Sequence, residues 1–183
     1  MPCPVGTIAS NNPNNFNQAS GCQDCEKGKY ISASGLLACL PCEPGYVCTG
    51  GTNQQYPTDS VAHKGYKCRI GHYCPEGTYE DIPCPAGTYN AVTGGSSLAD
   101  CRPCDENTYN YLTGQDGCLP CGPSARAAFG STTCECRGLK RVFQEQDGTC
   151  VCATGFEQQR GYRRFTSSRL DCIVKAENKC AAG

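Results

Sequence analysis

Cysteine is the residue in this chain whose number and spacing most directly imply chemistry. The 183 residues include 19 cysteines, and a cysteine content above about 8–10% is typical of disulfide scaffolds. Paired thiols staple a chain as disulfides, whereas four thiolates at suitable spacing bind Zn²⁺. The pattern of the spacings has to distinguish a disulfide framework from a metal site.

Two quartets of cysteines have the spacing of a zinc ribbon. The run Cys22–Cys42 has the form Cys-x2-Cys-x13-Cys-x2-Cys, and the run Cys101–Cys121 repeats it with the same gaps. Cysteines outside these quartets, however, are followed by the same glycine and aromatic pattern, and a basic nucleic-acid-binding surface is absent. We therefore favour disulfides over zinc, and we expect no cofactor and no metal.

Comparison of the chain with itself shows a short repeat that begins at a cysteine. Three residues later stands glycine, or once asparagine, the residues that most readily adopt positive φ, so we expect a turn there. An apolar or aromatic residue follows one or two places on, and we expect it to cover the disulfide in a small core. The opening cysteines, each with its turn residue and apolar residue, are Cys3 (Gly6, Ile8), Cys25 (Gly28, Tyr30), Cys42 (Gly45, Tyr46), Cys68 (Gly71, Tyr73), Cys74 (Gly77, Tyr79), Cys84 (Gly87, Tyr89), Cys104 (Asn107, Tyr109) and Cys152 (Gly155, Phe156).

Each repeat continues into a second turn and closes at a Cys-x-x-Cys step. Gly35, Gly94 and Gly114 lie ten residues after their opening cysteines, and most steps contain proline, as at Cys101–Cys104. Two short strands joined by a glycine turn make a β-hairpin. The sequence therefore predicts a small disulfide-rich fold, an elongated tandem array of short β-hairpin repeats with almost no helix. Repeats this short cannot fold singly, so each needs its bridge and its neighbours.

Variations of the repeat divide the chain into four stretches. Residues 3–42 hold two cysteine-rich repeats, and residues 84–121 hold two more. Residues 42–84 are predicted to form a variant repeat with a long insert. Residues 121–180 change to a Cys-x-Cys spacing, and Ser124 stands where a standard repeat has its turn glycine.

If each repeat is closed by its own bridge, most cysteine pairs follow from the alignment. The variant repeat then holds Cys42, Cys48, Cys68 and Cys74, and we expect their two bridges to be nested or crossed. Cys180 is left over, near the end of the sequence, where a bridge to another chain or to a further segment is easiest. The remaining pairs are expected to be Cys3–Cys22, Cys25–Cys39, Cys84–Cys101, Cys104–Cys118, Cys121–Cys134, Cys136–Cys150 and Cys152–Cys172.

The rest of the composition excludes several classes of protein. Apolar stretches are too short for one large core and fall far below the ~20 residues that span a bilayer. We therefore expect several small cores and no membrane span. The net charge is −1, and the basic residues are scattered, so we expect no nucleic-acid partner. We interpret the one basic cluster, Arg160, Arg163, Arg164 and Arg169, as a solvated face, with an acidic partner or anionic glycan as the alternative.

The sequence provides little for catalysis. Its two histidines are His63 and His72, and we expect both to point to solvent or stack locally rather than act as bases. A nucleophilic cysteine must be a thiol near a base, whereas we expect nearly all these cysteines to be bridged. We therefore expect no catalytic residues and no enzyme. Asn-x-Ser/Thr does not occur, while O-linked glycans on Ser and Thr are compatible with the sequence.

The cysteine content also predicts the compartment. Disulfides persist in oxidising surroundings, so we expect an extracellular or cell-surface protein that is secreted. Met1-Pro2-Cys3 leads straight into the first repeat with no secretory leader, so we expect either a processed protein or a fragment of a longer chain.

The repeats resemble a known extracellular module. The run Cys84-Pro-Ala-Gly-Thr-Tyr-Asn, with Thr93-Gly94 and the step Cys101–Cys104, is similar to the ephrin-receptor-like cysteine-rich repeat. The match recurs at Cys25–Cys42 and Cys104–Cys121. Repeats of this kind occur in receptor ectodomains, matrix proteins and mastigonemes, the hair-like filaments on some flagella.

The last stretch resembles an EGF-like segment that follows such repeats in large surface proteins of protists and algae. The resemblance rests on Cys134-Glu-Cys136-Arg-Gly, Arg141-Val-Phe-Gln and the run Asp147–Phe156. Together the two resemblances imply a structural subunit of an extracellular filament or surface coat, which assembles with itself through rod-like repeats. The alternative they imply is a segment of a receptor or matrix ectodomain that binds another extracellular protein.

Overall fold

The computed structural model of the chain describes residues 2–9, 21–158 and 171–175. Regular structure in these ranges consists of two-stranded antiparallel hairpins whose strands are two to four residues long. One turn of 3₁₀ helix, Leu98–Asp100, is the only helical element there. The expected array of short β-hairpins with almost no helix is confirmed.

Strands pair in the order in which they occur along the chain. Each hairpin therefore uses residues of one short stretch, as expected of a repeat. The hairpins are β1–β2 (Thr7–Ala9, Cys22–Asp24), β3–β4 (Lys29–Tyr30, Leu40–Pro41), β5–β6 (Tyr46–Cys48, Gly65–Lys67), β7–β8 (His72–Tyr73, Ile82–Pro83), β9–β10 (Thr88–Tyr89, Arg102–Pro103), β11–β12 (Thr108–Tyr109, Leu119–Pro120), β13–β14 (Ala125–Arg126, Glu135–Cys136), β15–β16 (Arg141–Gln144, Thr149–Cys152) and β17–β18 (Phe156–Gln158, Cys172–Val174).

Every turn residue that follows an opening cysteine in the alignment has a positive φ, from 63° at Asn107 to 87° at Gly155. Side chains with a Cβ are disfavoured in this region. At Gly45, a Cβ would also lie 2.7 Å from the carbonyl oxygen of Gly94. Glycine is therefore required at this position by the backbone angle and by the available space.

The repeat that opens at Cys121 forms although its turn lacks the usual glycine. Ser124 does not adopt a positive φ, and the turn is closed by the Ala125 N–H, which donates to the Gly122 carbonyl at 3.0 Å. The hairpin β13–β14 follows, and Cys121 pairs with Cys134. A different turn thus produces the same chain reversal.

Nine disulfides hold the described part of the chain together. Seven of them, from Cys3–Cys22 to Cys152–Cys172, join the pairs that the alignment of the repeats gives. Their Cα atoms lie 5.6 to 6.0 Å apart, within the usual range for a disulfide.

The bridges of the variant repeat are neither nested nor crossed, so that expectation is wrong. Cys42 pairs with Cys48, and Cys68 pairs with Cys74, each across six positions. In both cases the first turn lies between the two cysteines, closed by a backbone hydrogen bond of 3.1 or 3.3 Å. This reversal brings the Cα atoms of each pair to 5.9 Å.

The sixth residue after the opening cysteine is buried in the repeats that open at Cys25, Cys42, Cys68, Cys84 and Cys104. It is Ile31, Asn90 or Asn110 in the simple repeats, and Cys48 or Cys74 in the two variant ones, with at most 3% of its surface exposed. A cysteine there lies within reach of the opening cysteine because the turn folds the chain back. The local pair thereby replaces the long-range closing bridge.

Cys74 does not open a repeat, contrary to the alignment. Gly77 has the expected positive φ of 76°, but its N–H donates to the Cys42 carbonyl at 2.8 Å, which is the bond that a second-turn glycine makes. Tyr79, which the alignment places in a core, has 56% of its surface exposed. Cys74 therefore belongs to the repeat that opens at Cys68.

Successive repeats are joined by a recurring set of four backbone hydrogen bonds. The N–H of an opening cysteine donates to the carbonyl of the first-turn residue in the repeat before it. The N–H of that turn residue donates to the carbonyl of the sixth residue in the repeat after it. The N–H of the second-turn glycine donates to the carbonyl of the opening cysteine in the repeat before it. The N–H of the sixth residue in that earlier repeat donates to the carbonyl of the residue after the glycine. Between the repeats at Cys42 and Cys68, the four bonds run from Cys68 to Gly45, Gly45 to Cys74, Gly77 to Cys42 and Cys48 to Thr78, at 2.7 to 3.1 Å.

The chain divides into two compact units. The first comprises Met1–Pro85, Tyr89–Arg102 and Gly114–Asp116. Its small cores include Tyr30 against the Cys42–Cys48 bridge. The set of four bonds is complete here for three pairs of successive repeats, those that open at Cys25 and Cys42, Cys42 and Cys68, and Cys68 and Cys84.

The second unit comprises Ala86–Thr88, Pro103–Thr113 and Gly117–Gly183. Its core is built around Tyr109, which packs against Cys134 and Cys150 and meets the Phe143 ring edge-on at 5.0 Å. The four bonds are complete between the repeats that open at Cys104 and Cys121. Tyr30 and Tyr109 thus have the predicted place of an aromatic side chain against a disulfide.

Candidate functional site

The cysteines of the two zinc-like quartets are distributed over different disulfides. In the first quartet, only Cys25 and Cys39 pair with each other, while Cys22 and Cys42 pair with cysteines outside it. The second quartet is divided in the same way. Zinc is ligated by thiolates, which a disulfide does not provide. Among the described residues, no group of three or more His, Cys, Asp or Glu side chains is placed to hold a metal.

The two histidines lie apart in the fold and each contacts the backbone. His63 Nδ1 accepts a hydrogen bond of 3.2 Å from the Thr58 N–H, and His72 Nδ1 lies 2.8 Å from the Ile70 carbonyl oxygen. Both side chains are half-buried. These contacts are local, within five residues of each histidine.

Two candidate sites from the sequence lie outside the described residues. These are Cys180, the candidate for an inter-chain bridge, and the basic cluster from Arg160 to Arg169. The inter-chain bridge at Cys180 and the interpretation of the basic cluster stay predictions.

An ion pair with a buried carboxylate lies in the repeat that opens at Cys68. Asp81 has 1% of its side chain exposed and accepts two hydrogen bonds from the Arg69 guanidinium, at 2.6 and 2.7 Å. These bonds hold the pKa of the Asp81 carboxyl below its usual range. The guanidinium carbon also lies 5.7 Å from the centre of the Tyr66 ring. The pair joins the start of the repeat to the residue just before β8.

Two buried amides occupy the sixth position of the simple repeats in residues 84–121. The Asn90 amide donates to the His72 carbonyl, and the Asn110 amide donates to the Thr88 carbonyl, both at 3.0 Å. Sequence reasoning missed this role. The signal for it is the repeated Thr-Tyr-Asn at 88–90 and 108–110.

The insert between β5 and β6 is closed at its base by hydrogen bonds. The Lys64 carbonyl accepts from the N–H and the hydroxyl of Thr49, at 3.1 and 2.9 Å, and also from the Thr52 hydroxyl. The Asn53 N–H donates to the His63 carbonyl at 3.3 Å. The insert is therefore a hydrogen-bonded loop that projects from a fixed base.

We call residues 59–62 the insert tip. The Asp59 carboxylate accepts hydrogen bonds from the N–H groups of Ala62 and Val61, both at 2.8 Å, which lower its pKa. The Asp59 carbonyl accepts from the His63 N–H at 3.0 Å. These bonds hold Val61 with 86% of its surface exposed.

The second unit contains an open groove of about 690 Å³, which we call the Arg126 groove. Ala127 and Ala128 line it, together with the charged side chains of Glu106, Arg126 and Glu135. The Arg126 guanidinium lies 3.7 Å from the Glu135 carboxylate, and both side chains are mostly exposed. An exposed pair at this distance is weak, so Arg126 can pair with a carboxylate from outside.

No helix in the described ranges is long and apolar enough to cross a membrane. No protein-family model matches the chain, and no curated protein matches it.

Proposed function

We propose that this chain is a structural subunit of an extracellular filament or surface coat that assembles with itself. The observation that carries the proposal is the recurring set of four hydrogen bonds between successive repeats. Arrays of this kind are built from contacts between neighbouring repeats. Each repeat also contains a covalent staple, which suits a protein whose task is to hold its shape.

The proposed location outside the cell rests on the nine disulfides. Disulfides at this density form and persist in secreted and surface proteins, whereas cytosolic thiols are kept reduced. We also propose a role without catalysis, since Nδ1 of His63 and Nδ1 of His72 each contact the backbone nearby and the cysteines of the described ranges are bridged.

We propose that the simple repeats are ephrin-receptor-like repeats and that residues 121–180 form an EGF-like segment. The repeats at Cys25, Cys84 and Cys104 support the first part, because they share the glycine or asparagine turn, the hairpin and the closing bridge. O-linked glycans on exposed Ser and Thr side chains are part of the same proposal.

The alternative is a segment of a receptor or matrix ectodomain that binds another extracellular protein. One observation favours it. The Arg126 groove is open. Phe129, which lies between the groove residues Ala128 and Gly130 in the sequence, has 61% of its surface exposed. Exposed aromatic and arginine side chains are enriched at protein interfaces.

Electron microscopy of the purified protein separates the two functions. The disulfide-intact protein, concentrated under oxidising conditions, should form ordered polymers, and reduced and alkylated protein should form none. Isolated particles at every concentration would contradict the structural function and favour the receptor or matrix segment.

A further inference from the structure

The insert tip is built as a projection whose conformation is set before it meets a partner. The Asp59 carboxylate accepts from the N–H groups of Val61 and Ala62, and the Asp59 carbonyl accepts from the His63 N–H, at 2.8 to 3.0 Å. A pre-formed loop loses less conformational entropy on binding than a disordered one. The side chain that this loop displays is apolar, since Val61 is 86% exposed.

The Arg126 groove has the chemistry that such a projection needs. Ala127 and Ala128 provide small apolar side chains, and Phe129 lies exposed beside them. Arg126 can pair with the Asp59 carboxylate, one oxygen of which accepts the tip's two N–H groups. Lys64, behind the tip, pairs with Asp24 at 3.3 Å in the single chain, and both side chains are about half exposed or more. An exposed pair of this kind is weak, so Lys64 can instead pair with Glu106 of the groove.

We propose that the insert tip of one molecule docks in the Arg126 groove of a second copy of this chain. Val61 would contact Ala127, Ala128 and Phe129, and Asp59 would pair with Arg126. The tip and the groove are different surfaces, so the contact is head-to-tail, and such contacts give open chains unless the rotation closes a ring. This inference rests on the proposed function and names the contact through which assembly takes place.

Two variants with opposite defects test the contact. Val61→Asp replaces the apolar side chain of the tip and leaves the groove unchanged. Ala128→Arg fills the groove and leaves the tip unchanged. Neither variant should polymerise alone, because each lacks one half of every contact. Mixed in equal amounts, they retain one intact tip and one intact groove between them, so they should form dimers that grow no further. Sedimentation velocity distinguishes monomers, dimers and polymers.

Leu37→Asp is the matched control, because Leu37 is also 86% exposed. It should polymerise like the unsubstituted protein. The number of disulfides, counted by intact mass, and the circular dichroism spectrum of each variant show that it has folded. The charge at Arg126 gives a second test that leaves the tip unchanged. Arg126→Asp should raise the concentration needed for assembly by about tenfold or more, whereas Arg126→Lys, which keeps the positive charge, should raise it much less.

The outcomes separate this contact from the proposed function. If the unsubstituted protein polymerises and folded Val61→Asp does so equally, the contact is wrong and the structural function stands. If both single variants stay monomeric and their mixture gives no dimer, the tip and the groove do not meet. If the unsubstituted protein stays monomeric at every concentration, both proposals fail.

Discussion

Asp81 is a buried carboxylate whose only charged partner in the described contacts is Arg69. Taking a carboxylate out of water is costly unless hydrogen bonds replace its hydration. The two bonds from the guanidinium provide that replacement, while the other face of the guanidinium stays in water, since 63% of the Arg69 side chain is exposed. The stability of the variant repeat is therefore expected to depend on the charge of one side chain.

Acid should weaken this repeat through Asp81. Arg69 lowers the pKa of the carboxyl in the folded protein, so the pair contributes its full stability above the ordinary carboxyl pKa of ~3.9. That contribution is lost as the pH falls through the lowered pKa. Guanidinium melts of the disulfide-intact protein at a series of pH values should show this loss, and Asp81→Asn should make it smaller.

At neutral pH, Asp81→Asn should lower the free energy of unfolding by about 1 to 3 kcal/mol, the usual range for a hydrogen bond to a charged group. Glu26→Gln is a matched control, since Glu26 also pairs with a cation, Lys29 at 2.9 Å, but both side chains are largely exposed. It should change stability by less than about 0.5 kcal/mol. Equal effects of the two substitutions would contradict the role given to the buried Asp81 carboxylate.

A second pair of substitutions tests whether the first turn requires glycine. Gly45→Ala should destabilise the fold by about 2 kcal/mol or more, because alanine is disfavoured at a φ of 84° and its Cβ would crowd the Gly94 carbonyl. Gly117→Ala is the control, since a Cβ there meets nothing within 4 Å. Denaturant melts that show the same loss for both variants would refute the steric argument.

At the scale of the hairpin, the sequence predicts the turns better than the bridges between them. Glycine and asparagine adopt a positive φ more readily than other residues, so they mark the first turn of every repeat except the one that opens at Cys121. Cys48 and Cys74 were misassigned because pairing depends on which positions face inward. That property follows from the folded hairpin and from the bonds that the next repeat makes to it.

Asn90 and Asn110 were missed for a related reason. An asparagine next to a turn is usually solvated, and only the neighbouring repeat supplies the carbonyl that its amide reaches. Val61 and the Arg126 groove were also not predicted, because exposure and concave shape depend on the packed loop and on the strands around it.

Trypsin can test the local bridges directly. It cuts after Lys67 and Arg69, which isolates Cys68-Arg69 as a dipeptide. Under non-reducing conditions, this dipeptide should be linked to the fragment that contains Cys74. A link to the fragment that contains Cys42 and Cys48 would instead support the nested or crossed bridges. Mass spectrometry before and after reduction identifies the partner.

For the whole molecule, reduction should abolish the fold. Each bridge that closes a loop of about 15 residues contributes roughly 3 kcal/mol by restricting the unfolded chain, and the small cores cannot replace that contribution. Intact mass before and after reduction and alkylation should reveal the nine bridges, and circular dichroism should show unfolding. Stoichiometric zinc with free thiols would contradict this account.

The local bridges also determine how the molecule responds to a pulling force. A disulfide removes the loop it closes from the length that tension can draw out, so only the segments between bridges can extend. Most of these are short, such as the three positions from Cys101 to Cys104, which extend to roughly 10 Å. The segment from Cys48 to Cys68 lies outside all nine loops and can reach roughly 70 Å. Under tension, this segment would therefore extend the most, followed by the ten positions from Cys74 to Cys84, which reach roughly 35 Å, while the short segments between the other bridges stay nearly fixed.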